Sequence, residues 1–387
     1  MVKKPISKMN PLLLKTAAKS RGFVILFVIF GLMLPGRVYS QTDSNSAKSG
    51  RMLESFTING FLSSAYVYNF NNPDMMKNQY RVFDFDDNSM KIDVLELSLE
   101  RKVVKIGETG FRFDMTAGSS VPRISRSSGL DIGDLDFHQM YMSYIAPVGN
   151  GLKLDLGKFI TSMGYEVIEG YDGYNDNYSR SFLFGYAIPF THTGIKGSYA
   201  FSQNLSATLM VVNGWDNVVD SNKSKSVGGQ LGVVPVNGMN LYFNYMIGPE
   251  KTNNNSDNRN LLDVVGMYVI NEKFTLGGNG DYGTEQHSGI NGGTAVWDGI
   301  AGYMRLNLLS EFSLVLRGEQ FEDRDGIRTG RVQKLRELTL TPEYRVTGDF
   351  IVRADFRYDK SDQVVFQKNN DWIDNQSTVG INFIYKF

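Results

Sequence analysis

The last ten residues of the chain, Thr378-Val-Gly-Ile-Asn-Phe-Ile-Tyr-Lys-Phe387, decide the fold. Apolar and polar side chains alternate along this stretch, with Ile384 as the exception, so one face of an extended strand is apolar. About ten residues is the length of a tilted strand that crosses a membrane. An apolar strand at the end of a chain would leave an edge that recruits other chains, whereas a closed barrel pairs its last strand with its first. The stretch therefore predicts the closing strand of a transmembrane β-barrel.

The first 40 residues have the composition of a cleaved signal peptide. Basic residues precede the apolar segment Phe23–Leu34, and Val38-Tyr39-Ser40 fits a cleavage site that leaves Gln41 first. The alternative is an uncleaved signal anchor, but the apolar segment is short for a helix that spans a bilayer. Residues 41–55 are polar and are expected to form a disordered leader, so the barrel domain is predicted over 56–387.

Composition excludes several classes of protein. The chain has no Cys, which removes thiol chemistry and fits an exported protein without disulfides. Beyond the N-terminus it has no apolar run long enough for a membrane-spanning helix. Without the seven basic residues of the first 40, the chain has 33 basic and 41 acidic residues, a net charge of −8. This charge, together with the lack of a basic patch, argues against a nucleic-acid partner.

Short and long connections alternate along the predicted barrel. Each of seven short turns is followed by two apolar residues with a single residue between them, as in Phe312-Ser313-Leu314. The longer polar loops are centred near Asn72, Ser127, Asp172, Asp220, Asn254, Gly289, Gly326 and Asn369. Seven turns and eight loops predict an all-β, up-and-down antiparallel barrel of about 16 strands, with both termini and the short turns in the periplasm. One soluble β-sandwich, or several in tandem, would not explain this alternation.

Charged residues recur at strand positions opposite the apolar face. Since charge that faces lipid is unfavourable, these side chains are expected to point into the barrel. The predicted pore-lining residues are Arg112, Asp114, Asp155, Arg305, Arg317, Glu319, Arg353, Asp355 and Arg357. The alternative is an interior filled with salt bridges, but 16 strands enclose more volume than side chains alone can fill. An aqueous channel is therefore expected unless a loop plugs it.

The third long loop, residues 167–191, is predicted to constrict this channel. It carries Glu169, Asp172 and Asp176 against a single basic residue, Arg180, and it is rich in Tyr and Phe. A loop folded against the inner wall would bury these rings, and its acids would then lie opposite inward arginines such as Arg317, Arg353 and Arg357. An acidic constriction predicts a weak cation preference that salt screens. The alternative is an outward aromatic surface for a partner or for lipopolysaccharide.

Several stretches resemble the β-barrel porin family of the OmpL-like type. They include Gly60-Phe61, Gln139-Met140-Tyr141, Gly157-Lys158-Phe159, Asn177-Tyr178-Ser179-Arg180-Ser181 and Val212-Asn213-Gly214-Trp215-Asp216. The likeness covers most of the chain after the signal peptide and is densest over 137–216. It implies an integral outer-membrane barrel of a Gram-negative bacterium. It implies little about the solute, because the family is defined largely by its fold.

The function favoured by these observations is a porin that lets small hydrophilic solutes or ions diffuse passively. Such a protein would contact outer-membrane lipid, could form a homo-oligomer, and would need no cofactor. The rival is a non-conducting structural or accessory barrel of a larger complex, with the loop 71–90 and its Phe83 and Phe85 as a partner surface. An enzyme is less favoured because the three His residues lie on separate segments. A Ca²⁺ site at Asp172, Asn175 and Asp176 does not match an EF-hand loop.

Overall fold

Sixteen antiparallel strands close into a barrel in the computed structural model, which describes residues 56–121 and 135–387. The predicted signal peptide, the leader and the loop near Ser127 lie outside the described residues. The barrel strands are β1 Thr57–Asn69, β2 Ser89–Arg101, β3 Thr109–Ala117, β4 Leu135–Ala146, β5 Leu152–Ile160, β6 Thr191–Ser202, β7 Leu205–Val212, β8 Ser226–Val233, β9 Met239–Pro249, β10 Asn258–Asn271, β11 Phe274–Glu285, β12 Ala295–Asn307, β13 Phe312–Asp323, β14 Gln333–Arg345, β15 Phe350–Ser361 and β18 Asn375–Lys386.

The C-terminal strand closes the barrel, as its alternation predicts. Strand β18 pairs with β1 on one side and with β15 on the other. The last residue takes part, because Gly60 and Phe387 exchange backbone hydrogen bonds of 2.8 and 3.1 Å. A separate hairpin, β16 Phe366–Lys368 with β17 Asp371–Ile373, lies in the loop between β15 and β18. The prediction of a closed all-β barrel of 16 strands is confirmed.

Short and long connections lie at opposite ends of the barrel. The strand bounds give seven short connections at one end, here called the short-turn end, and eight longer ones at the other, the long-loop end. One of the long loops contains a single turn of π-helix, Leu183–Ala187. Among the described residues, no helix is long and apolar enough to cross a membrane.

The two faces of strand β15 differ in polarity. On β15, Phe356 and Tyr358 are exposed on the outer face, while Arg353, Asp355 and Arg357 are buried on the inner face. The outer face is thus apolar enough to contact lipid, and the inner face carries the charge.

Ile384, the exception to the alternation on β18, is explained by its inward position. It is buried in an apolar cluster with Phe61 and Ile351. Tyr171 and Tyr174 of the third long loop pack against this cluster. An apolar residue therefore stabilises the inner face where a loop covers it.

Candidate functional site

The third long loop, residues 161–190 between β5 and β6 and here called L3, lies inside the barrel. The backbone amide of Phe182 donates to Glu319 on β13 at 2.5 Å. The amide of Tyr178 donates to Asp355 on β15 at 3.0 Å. Both acceptors are inward carboxylates of the wall, so the loop backbone is bonded directly to the interior.

Two buried arginines of the wall hold the acidic side chains of L3. Arg317 on β13 reaches Glu166 of the loop at 2.6 Å and Glu337 on β14 at 2.8 Å. Arg353 on β15 reaches Glu169 of the loop at 2.6 Å. Removing one partner from a buried ion pair typically costs about 3–5 kcal/mol, because the other charge is left uncompensated. These pairs therefore fix the loop against one side of the wall.

Two further acids of L3 pair with other arginines of the wall. Asp176 reaches Arg305 on β12 at 2.6 Å. Asp172 contacts Arg112 on β3, which also binds its strand neighbour Asp114 at 2.8 Å. The two loop acids therefore point to different arginines and do not converge on one cation site.

Arg180, the basic residue of the predicted constriction, is buried within the loop. It pairs with Glu169 at 3.1 Å, and its backbone carbonyl accepts from the guanidinium of Arg357 on β15. Arg357 also binds its strand neighbour Asp359 at 2.6 Å. The sequence predicts an acidic side chain of L3 opposite Arg357. In the structure, the loop instead offers this guanidinium a backbone carbonyl oxygen.

All nine residues predicted to line the pore belong to the inner wall, but eight of them are buried. Only the side chain of Arg305 keeps partial exposure, at 17%. The buried residues are Arg112, Asp114, Asp155, Arg317, Glu319, Arg353, Asp355 and Arg357. L3 and neighbouring wall side chains cover these eight residues, and their role as pore lining stays a prediction.

Glycines of the wall make room for side chains of L3. At Gly277 on β11 a Cβ atom would lie 2.5 Å from the ring of Tyr165, and at Gly299 on β12 it would lie 2.6 Å from Leu183. A contact this short between non-bonded carbon atoms is not tolerated, so a Cβ at either position would displace the loop side chain. The wall is therefore shaped to seat the loop at these two points.

Apolar side chains of the wall and of L3 pack together near the long-loop end of the interior. Trp297 on β12 is fully buried and donates its indole N–H to the carbonyl oxygen of Ala187 in L3 at 3.1 Å. The rings of Phe184 and Phe190 in L3 lie in the same buried cluster. The wall contributes Phe159, Met210, Val212, Met246, Leu261, Trp297, Phe321 and Leu335. We call this cluster the apolar seal, because side chains of the wall and of L3 pack together in it at this end of the barrel.

The first long loop, residues 70–88, also folds inward. Its Arg81 pairs with Asp359 of the wall at 2.6 Å. The ring of Phe83 is buried against Phe184 and Phe190, with centroids 5.8 and 6.1 Å away. The interpretation of Phe83 as part of an outward partner surface is therefore wrong, since L3 already covers this ring.

Two partly buried carboxylates at the rim hold the end of L3 and the loop that follows β7. Asp216, in the loop after β7, accepts from the amides of Phe190 and Thr191 at 2.6 and 2.8 Å. Glu250, just after β9, accepts from the amide of Trp215 at 2.8 Å. Burial raises the pKa of Asp216 to about 6 and the pKa of Glu250 to about 7. Protonation therefore favours the packed arrangement of the rim in mildly acidic solution.

Open space remains between L3 and strands β8 to β12, in a cavity of about 570 Å³. Tyr303 of the wall stacks on Tyr165 of L3 with their centroids 4.0 Å apart. The wall side chains that border the cavity are Gln230, Tyr242, Val265, Met267 and Tyr303. Sequence reasoning missed these residues because it searched for inward charge. The spacing of residues could have found them. Val265 and Met267 lie two and four residues after the inward Asp263 on β10, so they point to the same side of the strand.

Comparisons with known proteins agree on one fold. The sequence profile of a family described as "Putative beta-barrel porin-2, OmpL-like" matches residues 55–387. No curated protein matches the sequence. Among solved structures, the outer membrane channel DcaP of Acinetobacter baumannii has a TM-score of 0.61 at 10% identity, covering 86% of this chain and 97% of its own.

Two further solved structures have the same architecture. The anion-selective porin from Comamonas acidovorans has a TM-score of 0.59 at 10% identity, over 86% of this chain and 99% of its own. The trimer form of the Vibrio cholerae outer membrane protein OmpT has a TM-score of 0.57 at 12% identity, over 86% of this chain and 99% of its own. At these identities the likeness establishes the barrel fold.

Proposed function

We propose, since the chain belongs to the β-barrel porin-2, OmpL-like family, that small hydrophilic solutes diffuse passively through its barrel past a constriction formed by L3. The protein is an integral β-barrel of the outer membrane of a Gram-negative bacterium. In the proposed orientation the long loops face outside and the short turns face the periplasm. Solutes are admitted by size and polarity, and neither a covalent step nor a cofactor is part of the proposal.

The placement of L3 carries this proposal. The loop covers one side of the inner wall, where it binds Arg317 and Arg353. On the other side, inward residues such as Thr208, Gln230 and Tyr242 keep partial exposure. A 16-strand barrel encloses more volume than one loop and its own side chains fill. The remaining space beside L3 is the proposed path.

The charge of L3 supports only a slight ion selectivity. The carboxylates of Glu166, Glu169 and Asp176 each lie within 2.6 Å of a wall guanidinium. A paired carboxylate attracts a passing cation less than a free one, because the two charges partly cancel. We therefore propose a cation preference that is weaker than the acidic sequence of the loop suggests and that salt abolishes.

Passage to the outside requires the apolar seal to open. The segment 182–190 of L3 packs within the seal and is bonded to Trp297. A solute that moves between the periplasm and the exterior must displace part of this segment. Conduction is thus proposed to depend on how firmly the segment is held.

A second candidate function is favoured by the same seal. A barrel whose long-loop end stayed closed would conduct nothing and would serve as a structural or accessory subunit of a larger envelope complex. The two candidates differ in one observable property, because only the porin lets solutes cross a membrane.

Assembly and lipid contact are further proposals. The trimer form of Vibrio cholerae OmpT supports a homo-oligomer for this chain as well. The exposed outer-face rings of Phe356 and Tyr358 support contact with lipid. Analytical ultracentrifugation in density-matched detergent checks the oligomer, and a strictly monomeric mass would contradict it.

Shortening L3 tests the constriction. Deleting residues 170–176 should raise the rate at which uncharged sugars swell protein-containing liposomes and should admit larger sugars. A deletion of equal length over 287–293, in the partly exposed loop between β11 and β12, serves as the control. Identical size cutoffs for the two variants would show that L3 does not limit passage.

A further inference from the structure

We propose that the cavity beside L3 binds water-soluble, uncharged solutes that carry an aromatic ring. This inference rests on the proposed function, because it names the class of solute that the channel favours. It is argued from three properties of the cavity: its apolar surface, its paired charges and the hydrogen bonds already made by two of its amide side chains.

The cavity presents flat and polarisable apolar surface to a solute. Tyr165 and Tyr303 are stacked on one another at its edge. Met267 and Tyr242 line it and are each 37% exposed. Its volume of about 570 Å³ lies within the range of roughly 300–1,000 Å³ that is typical of small-molecule sites. Aromatic solutes pack well against rings and thioethers, so this surface favours a planar ring.

The charged groups at the cavity are already neutralised. Glu166 binds Arg317, and Asp176 binds Arg305, both at 2.6 Å. A charged solute would therefore lose hydration without gaining a free partner of opposite sign. This favours an uncharged solute over an anion or a cation of the same shape.

Two amide side chains of the lining, Asn175 and Gln230, are also engaged. The side chain of Asn175 both donates to and accepts from the backbone of Val167, at 2.7 and 2.8 Å. The amide of Gln230 donates to the carbonyl oxygen of Ser162 at 3.1 Å and to Asn244 at 2.8 Å. A saccharide, which needs a partner for each of many hydroxyl groups, would find few here. The cavity therefore favours a ring with one or two polar groups.

Calorimetric titration of the full barrel in detergent tests the proposal with four probes. Benzamide, benzoate and benzamidine share one shape and differ in charge, and glucose represents saccharides. After subtraction of heats from protein-free micelles, benzamide should bind with a roughly millimolar Kd. The other three should bind at least about tenfold more weakly. Equal affinity for the three isosteres, or tighter binding of glucose, would overturn the proposal.

Variants at Met267 locate the site. Met267→Glu places a free carboxylate on the partly exposed cavity wall and should weaken benzamide binding while strengthening benzamidine binding by about tenfold or more. Met267→Leu keeps the apolar surface and should leave the wild-type order of affinities unchanged. Unchanged affinities in Met267→Glu would contradict the assignment of this cavity.

Binding and conduction separate this inference from the proposed function. A barrel that conducts ions but binds no benzamide refutes this inference alone. A barrel that binds benzamide but does not conduct refutes the proposed function alone.

Discussion

Replacing Trp297 should loosen the apolar seal and increase the fraction of time for which the channel is open. The side chain is fully buried, and its N–H donates to Ala187 of L3 at 3.1 Å. A Trp→Ala change in a packed interior costs about 3–5 kcal/mol. If opening frees L3 from this side chain, the closed state loses at most that amount relative to the open state. Since about 1.4 kcal/mol is a factor of ten, the ratio of open to closed channels should rise by up to about a hundredfold to a few thousandfold.

Two variants make this result specific. Trp297→Phe keeps most of the ring and loses the hydrogen bond, so its effect should be roughly tenfold, smaller than that of Trp297→Ala. Trp372→Ala, in the hairpin outside the barrel wall, removes a half-exposed indole and should leave the open fraction unchanged. Recordings in planar bilayers measure all three. If Trp297→Ala folds and behaves like Trp372→Ala, the seal does not control opening.

Three other predictions follow from the barrel itself. Leu209→Arg on the outer face of β7 should destabilise the fold by roughly 2–4 kcal/mol, whereas Thr208→Arg, its inward neighbour, should cost clearly less; denaturant titration of the two variants would show the opposite order if the faces were reversed. Deletion of Phe387 should lower outer-membrane levels but not synthesis, because this residue bonds to Gly60 where the barrel closes; unchanged levels on membrane blots would contradict this. Glu250, whose pKa burial raises from 4.5 to about 7, stabilises the fold when protonated, so stability should fall as the pH rises from about 4.5 to 7. Glu250→Gln should flatten this dependence in melting curves, and an equal slope in both proteins would refute the assignment.

The barrel could be predicted from sequence because its physical causes are local. Alternation on β18 follows from lipid on one face, and the lengths of connections follow from antiparallel neighbours. Ile384 marks the limit of this reasoning. It breaks the alternation because Tyr171 and Tyr174 of L3 pack against its cluster. The sequence of a strand does not reveal its contacts with a distant loop.

The interior was predicted less well for the same reason. The inward direction of Arg317 and Arg353 follows from strand parity, but their burial depends on how L3 folds onto them. Aromatic content indicated an inward loop, yet not which wall residue each acid would meet. Trp297 lies on the inner face although its polarity suits lipid, because the loop turns this part of the interior into an apolar core.

Single-channel recording of the purified wild-type protein in planar bilayers tests the central claim most directly. The protein must first show β-rich circular dichroism and heat-modifiable migration, so that a folded barrel is measured. The proposed function predicts stable, stepwise openings with weak cation preference at low salt that fades as the salt concentration rises. A folded barrel that inserts into the bilayer and stays silent, including after the L3 deletion over 170–176, would contradict it and favour the accessory barrel.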